Sequence, residues 1–126
     1  MERRQHKRSK SPQLLPVLNV ISGEQLGMLV ELSFGGLQIM TTSDLLIDAI
    51  YHLQIVFPQP EGPSEKIEFS AEVEWFDSRK QNGVCWAGFQ IINISDYELE
   101  RVGRLVNLWS IAQNNASTQD KKVSAN

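Results

Sequence analysis

The segment IEFSAEVEWFD, residues 67–77, is the feature that most constrains the fold of this chain. Acidic residues and serine alternate in it with apolar residues, which occupy every second position: Ile67, Phe69, Ala71, Val73 and Trp75. Successive side chains of a β-strand point to opposite faces. The segment therefore predicts a long strand with one apolar face and one solvated, acidic face.

Turn signals divide the rest of the chain into further strands. Asn82-Gly83 predicts a hairpin after the long strand, because both residues tolerate a positive φ, and residues 84–94 form the returning strand. Four shorter apolar runs precede the long strand, each next to Gly, Pro or Ser: 14–20, 28–32, 37–41 and 51–57. About six strands result.

A single helix is predicted at the C-terminal end of the last strand. Ser95 and Glu98 have the spacing of a capping box, which satisfies free backbone amides at a helix start. Apolar residues then recur at steps of three and four and predict a packed stripe: Leu99, Val102, Leu105, Val106, Trp109 and Ala112. Several antiparallel strands with one terminal helix favour a small all-β barrel that carries the helix on an open end or flank.

Composition limits the compartment and the class of protein. The chain has 126 residues, enough for one domain with a single core, and Cys85 is its only cysteine, so no internal disulfide forms. No apolar run approaches the roughly 18 residues of a membrane span, and no signal-peptide pattern is present. We therefore expect a cytoplasmic protein without a membrane partner.

Charge is divided unevenly along the chain. Residues 1–11 hold five basic residues and one acid, 5 − 1 = +4, while the remainder holds 7 basic and 14 acidic residues, 7 − 14 = −7. A general nucleic-acid binder needs a basic surface on its folded body, so we expect no nucleic-acid partner. Residues 1–13 predict a flexible basic arm, 14–112 the barrel with its helix, and 113–126 a disordered polar tail.

Catalytic chemistry is not indicated. The two histidines, His6 and His52, have no partner motif, and Cys85 lies between apolar residues. Glu72 and Glu74 have the spacing of paired acids, but acids at alternate strand positions are typical of a solvated face. We therefore expect a protein that is not an enzyme and that has neither a metal site nor a cofactor.

Two short motifs remain. Arg4 and Arg8 are within about 13 Å of each other in an extended arm, and the planar guanidinium of arginine pairs with phosphate and with guanine. Taken alone, this spacing is more typical of a basic solubility tail than of a ligand site. Ser33-Phe34-Gly35-Gly36, taken alone, is more often a tight turn than a binding loop.

Together the two motifs resemble the PilZ domain family, which is marked by an RxxxR arm and a [D/N]xSxxG turn. The matching positions are Arg4, Arg8, Ser33 and Gly36, and the resemblance spans residues 2 to about 112. It implies a six-stranded antiparallel β-barrel with a C-terminal helix that binds the second messenger cyclic diguanylate (cyclic di-GMP). The ligand-binding residues it implies are Arg3, Arg4, Arg8, Glu31, Ser33, Gly35 and Gly36.

The resemblance also sets expectations for ligand number and partners. Arg3, directly before RxxxR, is implied to favour a stacked pair of ligand molecules, and the signal is expected to pass to a separate protein. Glu31 departs from the motif, which has Asp or Asn at this position. The alternative is therefore an adaptor of the same fold that binds protein and has lost nucleotide binding, in agreement with Glu31 and the exposed proline-rich loop predicted at 58–63.

Overall fold

The computed structural model describes residues 8–57 and 61–125, with side chains for all of these except 79–81 and 113–125. Within them, six antiparallel strands and one helix follow in chain order: β1 (Ser9–Asn19), β2 (Gln25–Leu32), β3 (Gly36–Thr41), β4 (Ile50–Phe57), β5 (Glu65–Gln81), β6 (Val84–Asn93) and α1 (Asp96–Ala125). The strands pair in the order β1-β2-β3-β6-β5-β4, and β4 pairs with β1 to close the barrel. The predicted six-stranded antiparallel barrel with a C-terminal helix is confirmed.

The hairpin between β5 and β6 forms where the sequence predicts it. Asn82 and Gly83 have φ angles of 57° and 78°, the left-handed conformation that a tight hairpin turn requires. β5 continues to Gln81, beyond the predicted end at Asp77. The two strands pair from Ser70 and Asn93 to Gln81 and Val84, next to the turn.

The core is a single apolar cluster inside the barrel. Each strand contributes its inward-facing positions, and Leu45 joins the cluster from the β3–β4 connection. Val102, Val106 and Trp109 of α1 are also buried in it. The helix therefore lies across the end of the barrel at which β1 and β5 begin, with its predicted stripe facing the core.

β1 begins earlier than predicted, at Ser9 rather than near Leu14. Ser9 pairs with Leu32 and Lys10 with Glu31, so the last residues of the predicted arm belong to the barrel. The pairing register shifts between Lys10 and Leu15, and such a break accommodates Pro12, which cannot donate a backbone hydrogen bond. Residues 1–7 of the predicted arm lie outside the described residues, as do 58–60 of the predicted proline-rich loop.

Trp75 does not lie on the buried face, contrary to the alternation in the sequence. The register between β5 and β6 shifts at Glu74, because Val73 pairs with Phe89 and Trp75 with Gly88. One extra residue in β5 forms a bulge, which reverses the faces of all later positions. Trp75 is consequently 40% exposed on the outside of the barrel, and Phe76 packs against the core in its place.

The start of α1 shows one half of the predicted capping box, since the Glu98 carboxylate accepts hydrogen bonds from Arg101 and from the Glu68 amide. The Ser95 hydroxyl oxygen accepts a hydrogen bond from the Glu98 amide at 3.1 Å, which satisfies one free donor of the first turn. Ala112, predicted in the apolar stripe, is exposed.

No helix in the described part of the chain is long and apolar enough to cross a membrane.

α1 continues to Ala125, into the segment 113–126 for which the sequence predicts a disordered tail. The segment contains neither Gly nor Pro, so no residue in it breaks the helical hydrogen-bond ladder. The division of the chain into arm, barrel unit and tail stays a prediction.

Arg101 links α1 to the start of β5 by hydrogen bonds. Its guanidinium donates hydrogen bonds to the Lys66 carbonyl oxygen and to the Glu65 and Glu98 carboxylates, each at 2.7 Å. The side chain is 13% exposed and stacks near the rings of Phe57 and Tyr97. Burial opposes its charge, but the hydrogen bonds with the carboxylates outweigh burial and raise the pKa of Arg101.

Replacing Arg101 should therefore destabilise the packing of the helix on the barrel. We expect Arg101→Met to lower the free energy of unfolding by about 2 kcal/mol, because charge-assisted hydrogen bonds are lost and Glu98 loses its partner. Arg104→Met, at an exposed position of the same helix, is the control and should change stability little. Urea denaturation measures both, and equal stabilities of the two variants would contradict the prediction.

Candidate functional site

The turn between β2 and β3 is held rigid by Ser33. The Ser33 amide donates to the Gly36 carbonyl oxygen at 2.9 Å, and the Ser33 hydroxyl oxygen accepts from the amides of Gly35 and Gly36 at 3.2 and 3.1 Å. A side chain at position 36 would overlap the carbonyl oxygen of Phe89 on β6. The serine and the second glycine are thus required by the shape of the turn itself.

Arg8 lies beside this turn because β1 pairs with the end of β2. The Arg8 guanidinium Nη1 is 3.8 Å from the Glu31 carboxylate Oε1, and the two side chains are 53% and 24% exposed. An ion pair this exposed contributes about 1 kcal/mol or less. An incoming anion can therefore replace Glu31 as the partner of Arg8 at small cost.

A groove of about 380 Å³ joins the turn to the outer surface of β5 and β6. Five of the seven residues predicted to bind ligand line it: Arg8, Glu31, Ser33, Gly35 and Gly36. Arg3 and Arg4 lie outside the described residues, so their positions stay predictions. The structure thus brings one arginine of the arm and the complete turn to one groove.

Trp75 lies at the far side of the groove and was not predicted as a site residue. A row of directly paired residues crosses five strands from the arm to this tryptophan: Lys10, Glu31, Gln38, Gly88 and Trp75. A side chain at position 88 would overlap the Trp75 indole, so the ring lies against the bare backbone of β6. In the sequence, Gly88 was the one indication of a close approach at this point. The bulge that turns Trp75 outward has no clear sequence signature.

The groove offers hydrogen-bonding groups, an aromatic ring and little positive charge. Gln38 and Gln90 line it together with Trp75, and Glu31 and Glu74 contribute carboxylates. Arg8 is the one cationic side chain among the described residues that line it. A ligand with two phosphates would therefore need further cations, and those nearest to Arg8 in sequence are Lys7, Lys10 and the arginines at 3 and 4.

A second polar row lies on the outer face of β4 and β5. His52 Nδ1 is 3.2 Å from the Ser70 hydroxyl, and His52 Nε2 is 3.6 Å from the Glu68 carboxylate. This order resembles a catalytic triad, but the His52 and Glu68 side chains are 40% and 43% exposed, and none of the three residues lines the groove. Within the described residues, no group of three His, Cys, Asp or Glu side chains could hold a metal ion.

The fold and the groove define a closed six-stranded β-barrel with a surface site split between the start of β1 and the β2–β3 turn. A family model of the PilZ domain matches residues 2–108. The chain therefore belongs to the PilZ domain family. No curated protein matches the sequence closely enough to count as a relative.

Solved structures agree on the fold. The chain is similar to the PilZ domain of YcgR from Escherichia coli with c-di-GMP, with a TM-score of 0.71, 14% identity and coverage of 93% of this chain and 98% of that one. It is also similar to the inhibitor of motility MotI/DgrA from Bacillus subtilis, with a TM-score of 0.69, 19% identity and coverage of 91% and 53%. YcgR from E. coli in complex with c-di-GMP gives a TM-score of 0.67, 18% identity and coverage of 96% and 51%. The chain thus spans about half the length of MotI/DgrA and of YcgR.

The contact between Trp75 and Gly88 can be tested without any ligand. We expect Gly88→Ala to displace the Trp75 indole from the barrel surface, because a methyl group and the ring cannot share the space. The displaced ring becomes more exposed, so tryptophan emission should shift to the red while far-ultraviolet circular dichroism stays unchanged.

The same substitution in a Trp75→Phe background is the control, since Trp86 and Trp109 then supply the remaining emission. A red shift of equal size in that background would show that the signal does not come from Trp75.

Proposed function

We propose that the protein is a receptor for cyclic di-GMP that binds the dinucleotide between the N-terminal arm and the β2–β3 turn and signals to a separate protein. One observation carries the proposal: Arg8 and the Ser33–Gly36 turn line a single groove. Membership in the PilZ family supports it, as does the similarity to a PilZ domain whose structure contains c-di-GMP. On this proposal the protein is a receptor in the cytoplasm rather than an enzyme.

Each part of the groove suits one part of the ligand. The guanidinium of Arg8, with those of Arg3 and Arg4, would pair with phosphate and with the guanine edge. The amide groups of Gln38 and Gln90 can hydrogen-bond a purine, and the Trp75 indole offers a ring on which a base can stack. Arg3 would favour a stacked pair of ligand molecules.

The energies indicate that arm and barrel must act together. Fixing six residues of an arm that the sequence predicts to be flexible costs roughly 6 to 12 kcal/mol. Two charge-assisted arginine contacts return about 3 to 6 kcal/mol, and stacking adds about 1 to 3 kcal/mol per base. The remainder must come from the preformed turn, so binding orders the arm across the groove and creates a new surface for the partner.

A second candidate is a protein-binding adaptor of the same fold that has lost nucleotide binding. Glu31 favours it, because this position has Asp or Asn in the family motif and the Glu31 carboxylate lies in the groove. Titration with cyclic di-GMP separates the two candidates.

Isothermal calorimetry with cyclic di-GMP tests the receptor proposal. We expect the wild-type protein to bind, and Arg4→Ala and Arg8→Ala to abolish measurable binding, since each removes a charge-assisted contact worth about 1.5 to 3 kcal/mol. Arg104→Ala, on the exposed side of α1, is the matched control and should bind like the wild type.

The results separate the candidates. Absence of binding by the folded wild-type protein would contradict the receptor proposal and leave the adaptor. Binding by Arg8→Ala with wild-type affinity would contradict the site assignment alone.

Glu31 provides a second test of the same site. We expect Glu31→Asp to bind cyclic di-GMP as tightly as the wild type or more tightly, because the shorter carboxylate releases Arg8 and loses one rotatable bond. Glu24→Asp, in the exposed β1–β2 turn, is the control for the change of side chain. A large loss of affinity in Glu31→Asp would show that the longer side chain has its own productive geometry.

A further inference from the structure

Both sides of the proposed nucleotide site, the arm side and the turn side, are in contact with helix α1. Ser9, the residue after Arg8, is 1% exposed, and its hydroxyl donates a hydrogen bond to the Val106 carbonyl oxygen at 2.8 Å. Phe34, inside the β2–β3 turn, packs on Gly103: a methyl group there would lie 2.7 and 2.8 Å from the Phe34 ring atoms Cζ and Cε1. One helix thus supports the arm side and the turn side of the groove.

The two contacts lie close together on the helix. Gly103 and Val106 are three residues apart, so they face the same side of α1 within one turn. None of the described residues of α1 lines the groove, so the helix acts on the site from behind it, and Ser9 and Phe34 are two of the residues that connect them. A shift of α1 would therefore act on both sides of the groove, at the residue after Arg8 and at the Ser33–Gly36 turn.

We propose that Ser9, Phe34 and Gly103 are positioning residues of the nucleotide site, and that ligand binding is coupled through them to the position of α1. The inference rests on the proposed receptor function and extends it by assigning α1 as the element that responds to the ligand. Because coupling between two sites is reciprocal, whatever moves α1 also changes the affinity for the ligand.

The coupling should be detectable at the outer surface next to Phe34. Phe34 lines the nucleotide groove and also a shallow second groove formed with the first turns of α1, where Tyr97 and Leu99 lie. A ligand that shifts Phe34 must change this second groove as well. Tyr97, which is 66% exposed, is a convenient reporter at that surface.

Substitution of Gly103 can separate a positioning role in the site from a role in the stability of the fold. Glycine inside a helix costs about 1 kcal/mol relative to alanine, yet a side chain at 103 would displace the Phe34 ring. That ring is 37% exposed and can swing outward. Gly103→Ala should therefore leave stability unchanged or raised while it moves the turn residue that borders the site.

The test uses the full chain and calorimetry with cyclic di-GMP. We expect Gly103→Ala and Ser9→Ala each to weaken binding by about 3- to 30-fold, the range of coupling energies spread through a packed network. Asn107→Ala, an exposed position of α1, and Ser11→Ala, whose hydroxyl bonds locally to the Gln13 carbonyl oxygen, are the matched controls. Urea denaturation of every variant checks that Gly103→Ala is as stable as the wild type or more stable.

A double-mutant cycle isolates the contact of Phe34 with Gly103. In a Phe34→Leu background the shorter side chain leaves room at position 103, so adding Gly103→Ala should change affinity by less than about 2-fold. Amide spectra supply an independent readout: saturating ligand should shift the signals of Tyr97, Gly103 and Val106, although none of these residues lines the nucleotide groove.

The outcomes separate this inference from the proposed function. If the wild type does not bind cyclic di-GMP, the receptor proposal itself fails. If it binds, but Gly103→Ala and Ser9→Ala bind equally well and the amides of α1 do not respond, the receptor proposal stands and the coupling to α1 is wrong. Equal losses from Gly103→Ala in the wild-type and the Phe34→Leu backgrounds would also overturn the positioning role.

Discussion

The pairing of β1 on both of its edges is the constraint on which the rest of the structure depends. Through Val17 and Ile55 it joins β4 and closes the barrel, so that each strand in the described part of the chain has a neighbour on both sides. Through Ser9 and Leu32 it joins the end of β2 and carries Arg8 to the β2–β3 turn. The same strand therefore completes the fold and delivers one half of the candidate site to the other.

The groove lies in an acidic part of the chain and has little positive charge of its own. The acidic body of the chain repels polyanions in general, and Arg8 alone among the described lining residues brings positive charge into the groove. Glu31 already partners that charge. On the proposed receptor function, a small anionic ligand would therefore need the basic residues of the arm in addition to Arg8.

The element pattern and half of the site could be predicted from the sequence because their causes are local. Alternation in β5 as far as Val73, the Asn82-Gly83 turn and the Ser95 cap depend on neighbours within a few residues, and each is found where the sequence indicates. Ser33 and Gly36 likewise shape their own turn. Trp75 was placed on the wrong face because a bulge depends on the partner strand, and one inserted residue reverses every later position.

The sequence by itself determined the strands, the terminal helix and the serine-glycine turn, since backbone conformation and side-chain periodicity follow from residues close together in the chain. Tertiary structure alone decided which of these features meet. Arg8 faces Glu31, Trp75 lies over Gly88, and α1 supports both Ser9 and Phe34 through contacts between residues 13 to 97 positions apart. Such contacts arise from barrel closure and helix docking, and no local pattern records them.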